Sequence, residues 1–416
     1  MKIVMLSDWE TQFGGAAVAA SRLALSLCRA GHEVTRIVAV KDGKNYPWKI
    51  AELQPSIWGW AVHRFLPGLG WDTFSRWEIR QRLRRLLAVY QPDVVNIHNL
   101  HGASTSYGWP IEVVSDCAAV APVVWTLHDM WSFTGRCAFN YECQKYLLGC
   151  DKTCPTPADY PALAPQKIQK AWKRRRAIYQ RNPDLIAVAP SSWLARSAQE
   201  GLWAGKQVEI IPYGLPLDVF HPIDRTLARE ALDIPMPGII LLTAAFNFDD
   251  PRKGSEILLQ ALRMLHTRPL TLVTLGSGSI EVDIEGIQIC QLGYIDHERS
   301  KALAYSAADI FIHPSRADNL PNTVMESIAC GTPVVSFDLG GTPDMVRPGQ
   351  TGWLVKDVSS AALAATLDQV CVEITEGRNL QESCRAVAEA EYGDELQANR
   401  YLSLFQSSHN KGEYRR

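Results

Sequence analysis

The stretch of this sequence with the most chemically useful side chains runs from residue 309 to 335, where a predicted strand, a polar loop and a helix follow one another. The strand ends at His313, Asp318 lies in the loop, and Glu326 lies on a helix that starts near Asn322. Both carboxylates can face the carboxyl edge of a parallel sheet, where ligands bind in α/β proteins. A carboxylate accepts hydrogen bonds from two neighbouring hydroxyls, so this pair suits a sugar.

The spacing alone also fits a plainer interpretation, in which Asp318 caps a loop and Glu326 occupies a solvated helix position. We expect Asn322 to act as the N-cap of the helix and to accept hydrogen bonds from its first-turn amides.

Two cations form a second candidate site. Arg252 and Lys253 stand directly before Gly254, where a helix is predicted to begin after the first strand of the second domain. Positive side chains and the free amides of a helix start would converge on one point, which suits a diphosphate. Most exposed cation pairs are simply solvated, which is the alternative here.

Two glycine-rich turns and three histidines lie at or just beyond predicted strand ends. Gly14-Gly15 precedes a helix, and Gly276-Ser277-Gly278 follows a strand, so each allows either a flexible turn or close approach of a phosphate. His128 ends a strand, and Asp129 is placed to orient its ring. His98 and His101 are further candidates, although a single histidine is more often structural.

Short apolar runs alternate with helical patterns along the whole chain, which predicts α/β architecture with two doubly wound parallel sheets. Breakers in the segment 211–216 mark a domain boundary. We therefore expect a first domain over 1–215, a second over 216–390, and a helix with a fraying polar tail over 391–416 that returns to the first domain. The predicted strands are Ile3–Ser7, Val34–Val40, Val94–His98, Val123–Leu127, Leu185–Ala189, Val208–Ile211, Ile239–Ala244, Leu270–Leu275, Ile287–Leu292, Ile310–His313 and Val334–Phe337.

The string from Asp318 to Val335 resembles the signature of family-4 glycosyltransferases, in which a Glu-x7-Glu pair precedes a Gly-Thr-Pro-Val-Val segment. The resemblance implies the GT-B fold, with two Rossmann-like domains facing each other across a cleft, and a retaining transfer from a nucleotide sugar. Asp318 departs from the family, which has Glu there. The variant over 318–322 is similar to a branch found among exopolysaccharide transferases of the colanic-acid type.

The same resemblance implies roles for individual residues. Glu326 would bind the donor ribose, Asp318 the transferred sugar, and Lys253 the diphosphate. The family's upstream Arg is absent from the region 245–248, and Arg252 is a candidate substitute. His128 would contact the donor sugar. Further donor-binding residues implied are Gly14, Gly15, Gly276, Asn319, Leu320 and Asn322.

The expected donor is a UDP- or GDP-sugar, and the expected acceptor is a saccharide or a lipid-linked saccharide. No Asp-x-Asp metal motif stands at a suitable strand end, so fixed cations and helix amides would neutralise the leaving diphosphate, whose own oxygen would take the acceptor proton. A sugar-nucleotide epimerase of the same fold and a catalytically decayed binding protein are the alternatives. No nucleic-acid partner is expected.

Four cysteines lie within 18 residues, in an insertion predicted over about 131–160. Their number suggests structural zinc, but their spacing lacks tight two-residue knuckles. Free thiols and disulfides are the alternatives, and a reducing compartment disfavours disulfides. The four are Cys137, Cys143, Cys150 and Cys154.

Charge is divided unevenly along the 416 residues: residues 1–215 hold 25 Lys and Arg against 17 Asp and Glu, and the remainder holds 17 against 27. The basic half also contains an aromatic and arginine-rich stretch from Trp58 to Arg85, and a second basic stretch over 170–176. Peripheral contact with an anionic membrane is one interpretation, and a solvated basic face is the other. No targeting or spanning segment is visible, so we expect a cytoplasmic protein.

Overall fold

The computed structural model describes residues 1–10, 14–56, 71–101, 109–235, 238–278, 280 and 283–413, apart from the side chains of 71–73, 412 and 413. The chain divides into two compact units. Unit 1 comprises Met1–Pro212 with Gln397–Arg416, and unit 2 comprises Tyr213–Leu396.

Unit 1 is built on a seven-stranded parallel sheet in the order β3-β2-β1-β4-β5-β6-β7. Alternate residues of the central strand enter different hydrophobic clusters: Val4 and Leu6 pack on one face, Ile3 and Met5 on the other. Burial of both faces explains why these strands are continuous apolar runs. The strands are β1 (Lys2–Trp9), β2 (Glu33–Val40), β3 (Lys49–Glu52), β4 (Val94–Ile97), β5 (Val123–Thr126), β6 (Ile186–Ala189) and β7 (Val208–Ile210).

Helices connect these parallel strands, and local sequence sets several of their ends. Pro165 begins one helix, and the Ser191 hydroxyl caps another by accepting the Leu194 N–H. The helices of unit 1 are α1 (Gly15–Arg29), α2 (Trp71–Tyr90), α3 (Val113–Ala118), α4 (Lys145–Leu148), α5 (Pro165–Arg181) and α6 (Ser192–Glu200).

Unit 2 repeats the architecture with a six-stranded parallel sheet in the order β10-β9-β8-β11-β12-β13. Its strands are β8 (Ile239–Asn247), β9 (Leu270–Ser277), β10 (Ile287–Gly293), β11 (Ile310–His313), β12 (Val334–Phe337) and β13 (Gly352–Val355). Its helices are α7 (Arg225–Ala231), α8 (Ser255–Met264), α9 (Glu298–Ala307), α10 (Asn322–Ala329), α11 (Ser360–Thr375) and α12 (Gln381–Glu391). The prediction of two doubly wound parallel sheets is confirmed.

The last helix, α13 (Asp394–Glu413), crosses from unit 2 into unit 1 at Gln397. Its apolar side packs among Ile3 and Val94 through Tyr401 and Phe405, and the Tyr401 hydroxyl lies 2.9 Å from Thr126 Oγ1. The polar tail, from Ser407 onward, was expected to fray, but the helix continues through residue 413. Ser408 is buried there, and His409 Nδ1 lies 3.1 Å from the Asp93 carbonyl oxygen.

Two other local expectations need correction. Pro321, not Asn322, occupies the N-cap of α10, and Asn322 is the first helical residue. The fixed backbone angle of proline suits this entry to the helix. The short strands β3 and β13 were not predicted at all. Within the described part of the chain, no helix is both long and apolar enough to span a bilayer.

Candidate active site

Two loops at the carboxyl edge of the unit 2 sheet are joined to each other. The loop after β8 carries Arg252 and Lys253, and the loop after β11 carries Asp318. The Arg252 carbonyl accepts the Arg316 N–H at 2.8 Å and the Ser315 hydroxyl at 3.1 Å. The neighbouring strands β8 and β11 place these loops side by side, so residues far apart in sequence meet here.

A tight turn presents the two cations. Pro251 opens a 3-10 turn, Pro251–Lys253, and the Asp250 carboxylate accepts the Arg252 N–H at 2.9 Å. Gly254 then adopts a positive φ of 73°, and a Cβ there would lie 2.0 Å from the Pro314 carbonyl oxygen. Only glycine fits this close approach, which fixes the point where α8 begins.

Asp318 is the centre of the charged cluster. Its Oδ2 lies 2.8 Å from Lys253 Nζ, 3.4 Å from an Arg252 guanidinium nitrogen and 3.7 Å from His313 Nε2. Its Oδ1 accepts the Asn319 N–H at 3.0 Å. The side chain is only 14% exposed, so these bonds form where water screens weakly.

Burial alone would raise the pKa of Asp318, but Lys253 and Arg252 hold it well below its usual range. Burial lowers the pKa of His313 to about 3, although Asp318 opposes that shift. At neutral pH His313 is therefore uncharged. Arg252 also pairs with Asp250 at 3.1 Å, so two cations face two carboxylates and the formal charge of the cluster is near zero.

Helix amides add positive potential to this site. Both α8 and α10 begin at the carboxyl edge, and neither has a side-chain cap at its N-terminus. The first-turn amides of a helix carry a partial positive charge that favours a bound anion. The helix starts therefore add positive potential at an edge where the side-chain charges cancel.

Glu326 occupies a different environment from the solvated helix position considered above. It is buried in α10, and its Oε2 accepts the Tyr305 hydroxyl of α9 at 3.0 Å. The solvated interpretation is therefore wrong. The bond fixes one carboxylate oxygen of Glu326, which pre-orients the side chain proposed for the ribose.

The remaining candidates of unit 2 lie around this edge. Asn319 and Leu320 are buried in the loop before α10. Gly276, the last residue but one of β9, has a φ of 152°, and a Cβ there would lie 1.9 Å from the Ala245 carbonyl oxygen. Close packing of β9 against β8 thus explains Gly276 without a ligand.

In unit 1, the structure joins His128 to His98. His98 Nδ1 lies 2.9 Å from His128 Nε2, so one ring nitrogen donates and the other accepts. Asp129 instead bonds to His101, with 2.9 Å between its Oδ2 and His101 Nε2. The ring contact of His128 is thus with His98, and an orienting role of Asp129 toward His128 stays a prediction.

Burial lowers the pKa of His128 to about 4 and that of His98 well below 6.5. Both rings are therefore neutral near pH 7, and His128 can exchange hydrogen bonds without placing a cation at the site. Burial alone would raise the pKa of Asp129, but His101 and the Trp131 amide hold it below its ordinary value.

Gly14 and Gly15 lie at the start of α1. Gly14 occupies the N-cap with a φ of 89°, and the helix has no side-chain cap there. An open helix start is compatible with the phosphate or acceptor approach considered above. Residues 11–13, which precede it, lie outside the described residues.

The four cysteines of the insertion line one cavity, together with Arg136 and Lys145. All four are free thiols. Among the described residues, no group of three or more His, Cys, Asp or Glu side chains is arranged to hold a metal ion. The choice among free thiols, zinc and disulfides stays a prediction, and the four cysteines share one cavity whichever holds.

Sequence comparison identifies the family. The description "Glycosyltransferase Family 4" matches residues 13–219, and "Glycosyl transferases group 1" matches residues 238–372. The chain belongs to the family-4 glycosyltransferases. The first match lies mainly in unit 1, and the second covers the unit 2 sheet. Both units of this glycosyltransferase are therefore matched by a glycosyltransferase family description.

Curated relatives of this glycosyltransferase match over part of their length. WcaC of Escherichia coli strain K12, provisionally named a colanic acid biosynthesis glycosyl transferase, is 29% identical over 59% of this chain and 60% of that protein. The D-inositol 3-phosphate glycosyltransferase of Mycobacterium leprae strain Br4923 is 30% identical over 39% of this chain and 40% of that protein. The match thus spans about three-fifths of the length of WcaC and about two-fifths of the length of the D-inositol 3-phosphate glycosyltransferase.

Solved structures show the GT-B fold of this glycosyltransferase. A sucrose-phosphate synthase from Thermosynechococcus elongatus superposes with a TM-score of 0.71 at 19% identity, covering 97% of this chain and 98% of that one. HepE of Anabaena, solved with UDP-glucose, superposes with a TM-score of 0.66 at 16% identity, covering 98% and 100%.

Sequence reasoning did not find the partners of the site residues. Tyr305 lies on another helix from Glu326, and nothing in the spacing of 21 residues signals their contact. His98 and His128 did carry a signal, because each closely follows one of two neighbouring parallel strands.

Proposed function

We propose that this glycosyltransferase moves a sugar from a UDP- or GDP-sugar to a saccharide or lipid-linked saccharide acceptor, with retention at the transferred carbon and without a bound metal. Synthesis of an exopolysaccharide or another cell-surface glycan is the proposed setting. The observation that carries the proposal is the contact of Lys253 with Asp318 beside the uncapped start of α8.

In the proposed reaction, the bond between the sugar carbon and the diphosphate oxygen breaks while the acceptor hydroxyl attacks the same face. The electron pair leaves with the nucleoside diphosphate, and Lys253, Arg252 and the α8 amides stabilise the developing charge. The acceptor proton passes to the departing phosphate oxygen, so no protein nucleophile is required.

Donor binding would rearrange the charged cluster. The diphosphate brings negative charge to Lys253, which frees the Asp318 carboxylate to accept hydroxyls of the transferred sugar. Glu326, fixed by Tyr305, would accept the ribose hydroxyls, and neutral His128 would bond the transferred sugar.

A panel of UDP-, GDP- and ADP-sugars tests the donor. A ligand that binds only the native state stabilises it by about 2.7 kcal/mol at a hundred times its Kd, so a true donor raises the melting temperature. Transfer to an oligosaccharide acceptor should follow, with an α-linked product from an α-linked donor. A new sugar epimer from donor alone would identify an epimerase, and binding without transfer or hydrolysis would identify a decayed enzyme.

We further propose that this cytoplasmic enzyme contacts the inner face of an anionic membrane through α2 and α5. Trp77 of α2 is 55% exposed, and α5 carries six Lys or Arg residues between 167 and 176. Asp116 forms ion pairs with Arg80 and Arg84, which offsets part of the positive charge of α2. Trp58, Trp60 and Arg64 lie outside the described residues.

Sedimentation with vesicles containing an anionic phospholipid tests this proposal. Binding should weaken with salt and with the paired change Lys170→Glu and Lys173→Glu. Absence of salt-sensitive binding would remove the membrane proposal and leave the transferase proposal intact.

A further inference from the structure

Tyr160, at the end of the cysteine-rich insertion, packs beside the loop that follows β4 in unit 1. Its ring centroid lies 5.9 Å from that of His101, and the His101 ring in turn lies 4.9 Å from that of Trp131. His101 is buried, whereas Tyr160 is 61% exposed. The insertion therefore adds an open aromatic face next to a buried imidazole.

A buried arginine fixes the backbone on both sides of Tyr160. Arg136 Nη1 donates to the carbonyl oxygens of Asp159 and Pro161, the latter at 3.1 Å. Its Nη2 donates to the Thr156 hydroxyl, also at 3.1 Å. The exposed ring thus stands on backbone that is bonded at each flanking residue, which pre-organises the ring for a ligand.

An unused hydrogen-bonding group lies beside this ring. Asp129 Oδ1 accepts the Trp131 N–H at 2.8 Å, and Asp129 Oδ2 lies 2.9 Å from His101 Nε2. The other ring nitrogen, His101 Nδ1, is buried and has no hydrogen-bond partner among the described residues. When Nε2 donates to the carboxylate, Nδ1 of the neutral ring is an acceptor. A buried acceptor left unpaired is costly, so its presence here indicates a place for a ligand hydroxyl.

A second carboxylate, Asp8, lies near the carboxyl end of β1. Its N–H donates to the Asn99 carbonyl oxygen at 3.1 Å, which joins the end of β1 to the loop after β4. The order β2-β1-β4 makes this the switch point of the sheet, where α/β proteins bind ligands. Burial, together with the charges of Asp129 and Asp8, raises the pKa of Tyr160 to about 12. The phenol therefore stays protonated, in a region of negative potential.

These features match the shape and polarity of a sugar ring. A pyranose presents C–H groups on one face, which pack against the electron-rich face of an aromatic ring. The hydroxyls at its rim can donate to carboxylates and to an imidazole nitrogen. Two carboxylates at the same place repel a phosphate group, because like charges interact strongly where water screens weakly. The chemistry of the site thus suits an uncharged sugar.

We propose that Tyr160 binds an uncharged sugar unit of the acceptor, with the Asp129–His101 pair accepting its hydroxyls, and that the insertion thereby selects neutral over phosphorylated saccharides. This inference rests on the proposed transferase function. Arg136, which holds the Tyr160 backbone, also lines the cavity of the four cysteines. The insertion therefore determines which acceptor binds, and the donor site needs no residue from it.

Acceptor kinetics test the inference with methyl glycosides of glucose, galactose and mannose, their 6-phosphates, and octyl glycosides as mimics of a lipid-linked saccharide. The wild type should use a neutral glycoside with a KM about tenfold below that of its 6-phosphate. Tyr160→Ala should raise the acceptor KM about tenfold and leave the donor KM unchanged, whereas Tyr160→Phe should resemble the wild type. Leu148→Ala, at a 93% exposed position of the same insertion, is the matched control and should alter neither KM.

Asp129→Asn separates charge from shape. The amide keeps the size of the side chain and removes one negative charge, so the KM of the 6-phosphate should fall relative to that of the neutral glycoside. An unchanged ratio would overturn the electrostatic preference, because exclusion by shape alone does not depend on that charge.

The remaining outcomes distinguish this inference from the proposed function. An unchanged acceptor KM in Tyr160→Ala would overturn the inference, as would an equal rise in the donor KM or preferential use of the 6-phosphates by the wild type. A wild-type protein that transfers sugar to neither class of acceptor would instead overturn the proposed function itself.

Discussion

Lys253 Nζ and Asp318 Oδ2 lie 2.8 Å apart, so the cation and the carboxylate proposed for the donor site neutralise each other. Removing one partner of such a buried pair leaves the other uncompensated. In the proposed reaction, the diphosphate would replace Asp318 beside Lys253, and the sugar hydroxyls would replace Lys253 beside Asp318.

Asp318→Asn tests this exchange. The amide keeps the size of the side chain but leaves Lys253 and Arg252 without their opposing charge. We expect the affinity for pyrophosphate to rise about tenfold, because the two cations no longer face the Asp318 charge. We expect the rate of sugar transfer to fall at least a hundredfold. Calorimetry and a transfer assay measure the two effects. A fall in both affinity and transfer would show that Asp318 only supports the fold of the loop.

Acid should destabilise the protein through its buried histidines. Burial lowers the pKa of His128 to about 4 and of His313 to about 3, whereas an unfolded histidine titrates near 6.5. The unfolded state therefore binds more protons below pH 6.5. As the pH decreases below 6.5, the free energy of unfolding should decrease by up to about 1.4 kcal/mol per pH unit for each histidine.

Denaturant unfolding between pH 7 and 5 checks this expectation, because aspartates contribute little to the slope in that range. His313→Asn should reduce the slope of the free energy of unfolding against pH by the contribution of one histidine. His297→Asn, at an exposed position, should leave it unchanged. Equal slopes in all three proteins would contradict the neutral, buried state assigned to His313.

Tyr305→Phe removes the hydroxyl that bonds Glu326. A buried carboxylate oxygen then loses a donor, which should lower the free energy of unfolding of unit 2 by about 1–3 kcal/mol. If Glu326 binds the ribose, the variant should also raise the donor KM. Tyr401→Phe, which loses its contact with Thr126 in unit 1, should reduce stability without that change in KM.

The cysteine cavity should react slowly. Burial raises the pKa of Cys150 to about 12 and also raises the pKa of Cys137, so little thiolate is present at neutral pH. Mass spectrometry should find both alkylated by iodoacetamide far more slowly in the native than in the denatured protein. A chelator should not change the native rate. Acceleration by the chelator would show that a metal protects these thiols.

The strands of both sheets could be predicted because each core strand is an apolar run between turn residues, such as Val334–Phe337 after Pro333. The edge strand β13 could not, because Gly352 and the half-buried Trp353 break that pattern. The cations and carboxylates of the site were located by motif. The contact of Lys253 and Arg252 with Asp318 could not be predicted, because it depends on how the loops after β8 and β11 pack together.

The assignment of partners was the other weak point. Asp129 is adjacent to His128 in sequence, but the side chain that its Oδ2 bonds is His101, 28 residues away. Adjacency in sequence does not reveal that contact, whereas the parallel pairing of β4 with β5 brings His98 to His128.

The most direct measurement is the rate of sugar transfer by wild type, Lys253→Ala and Lys253→Met, each with and without EDTA. If Lys253 and the α8 amides stabilise the leaving diphosphate, both variants should lose at least a hundredfold in kcat while remaining folded at the assay temperature, and EDTA should change no rate. Full turnover in the variants, or loss of wild-type turnover in EDTA, would contradict the account.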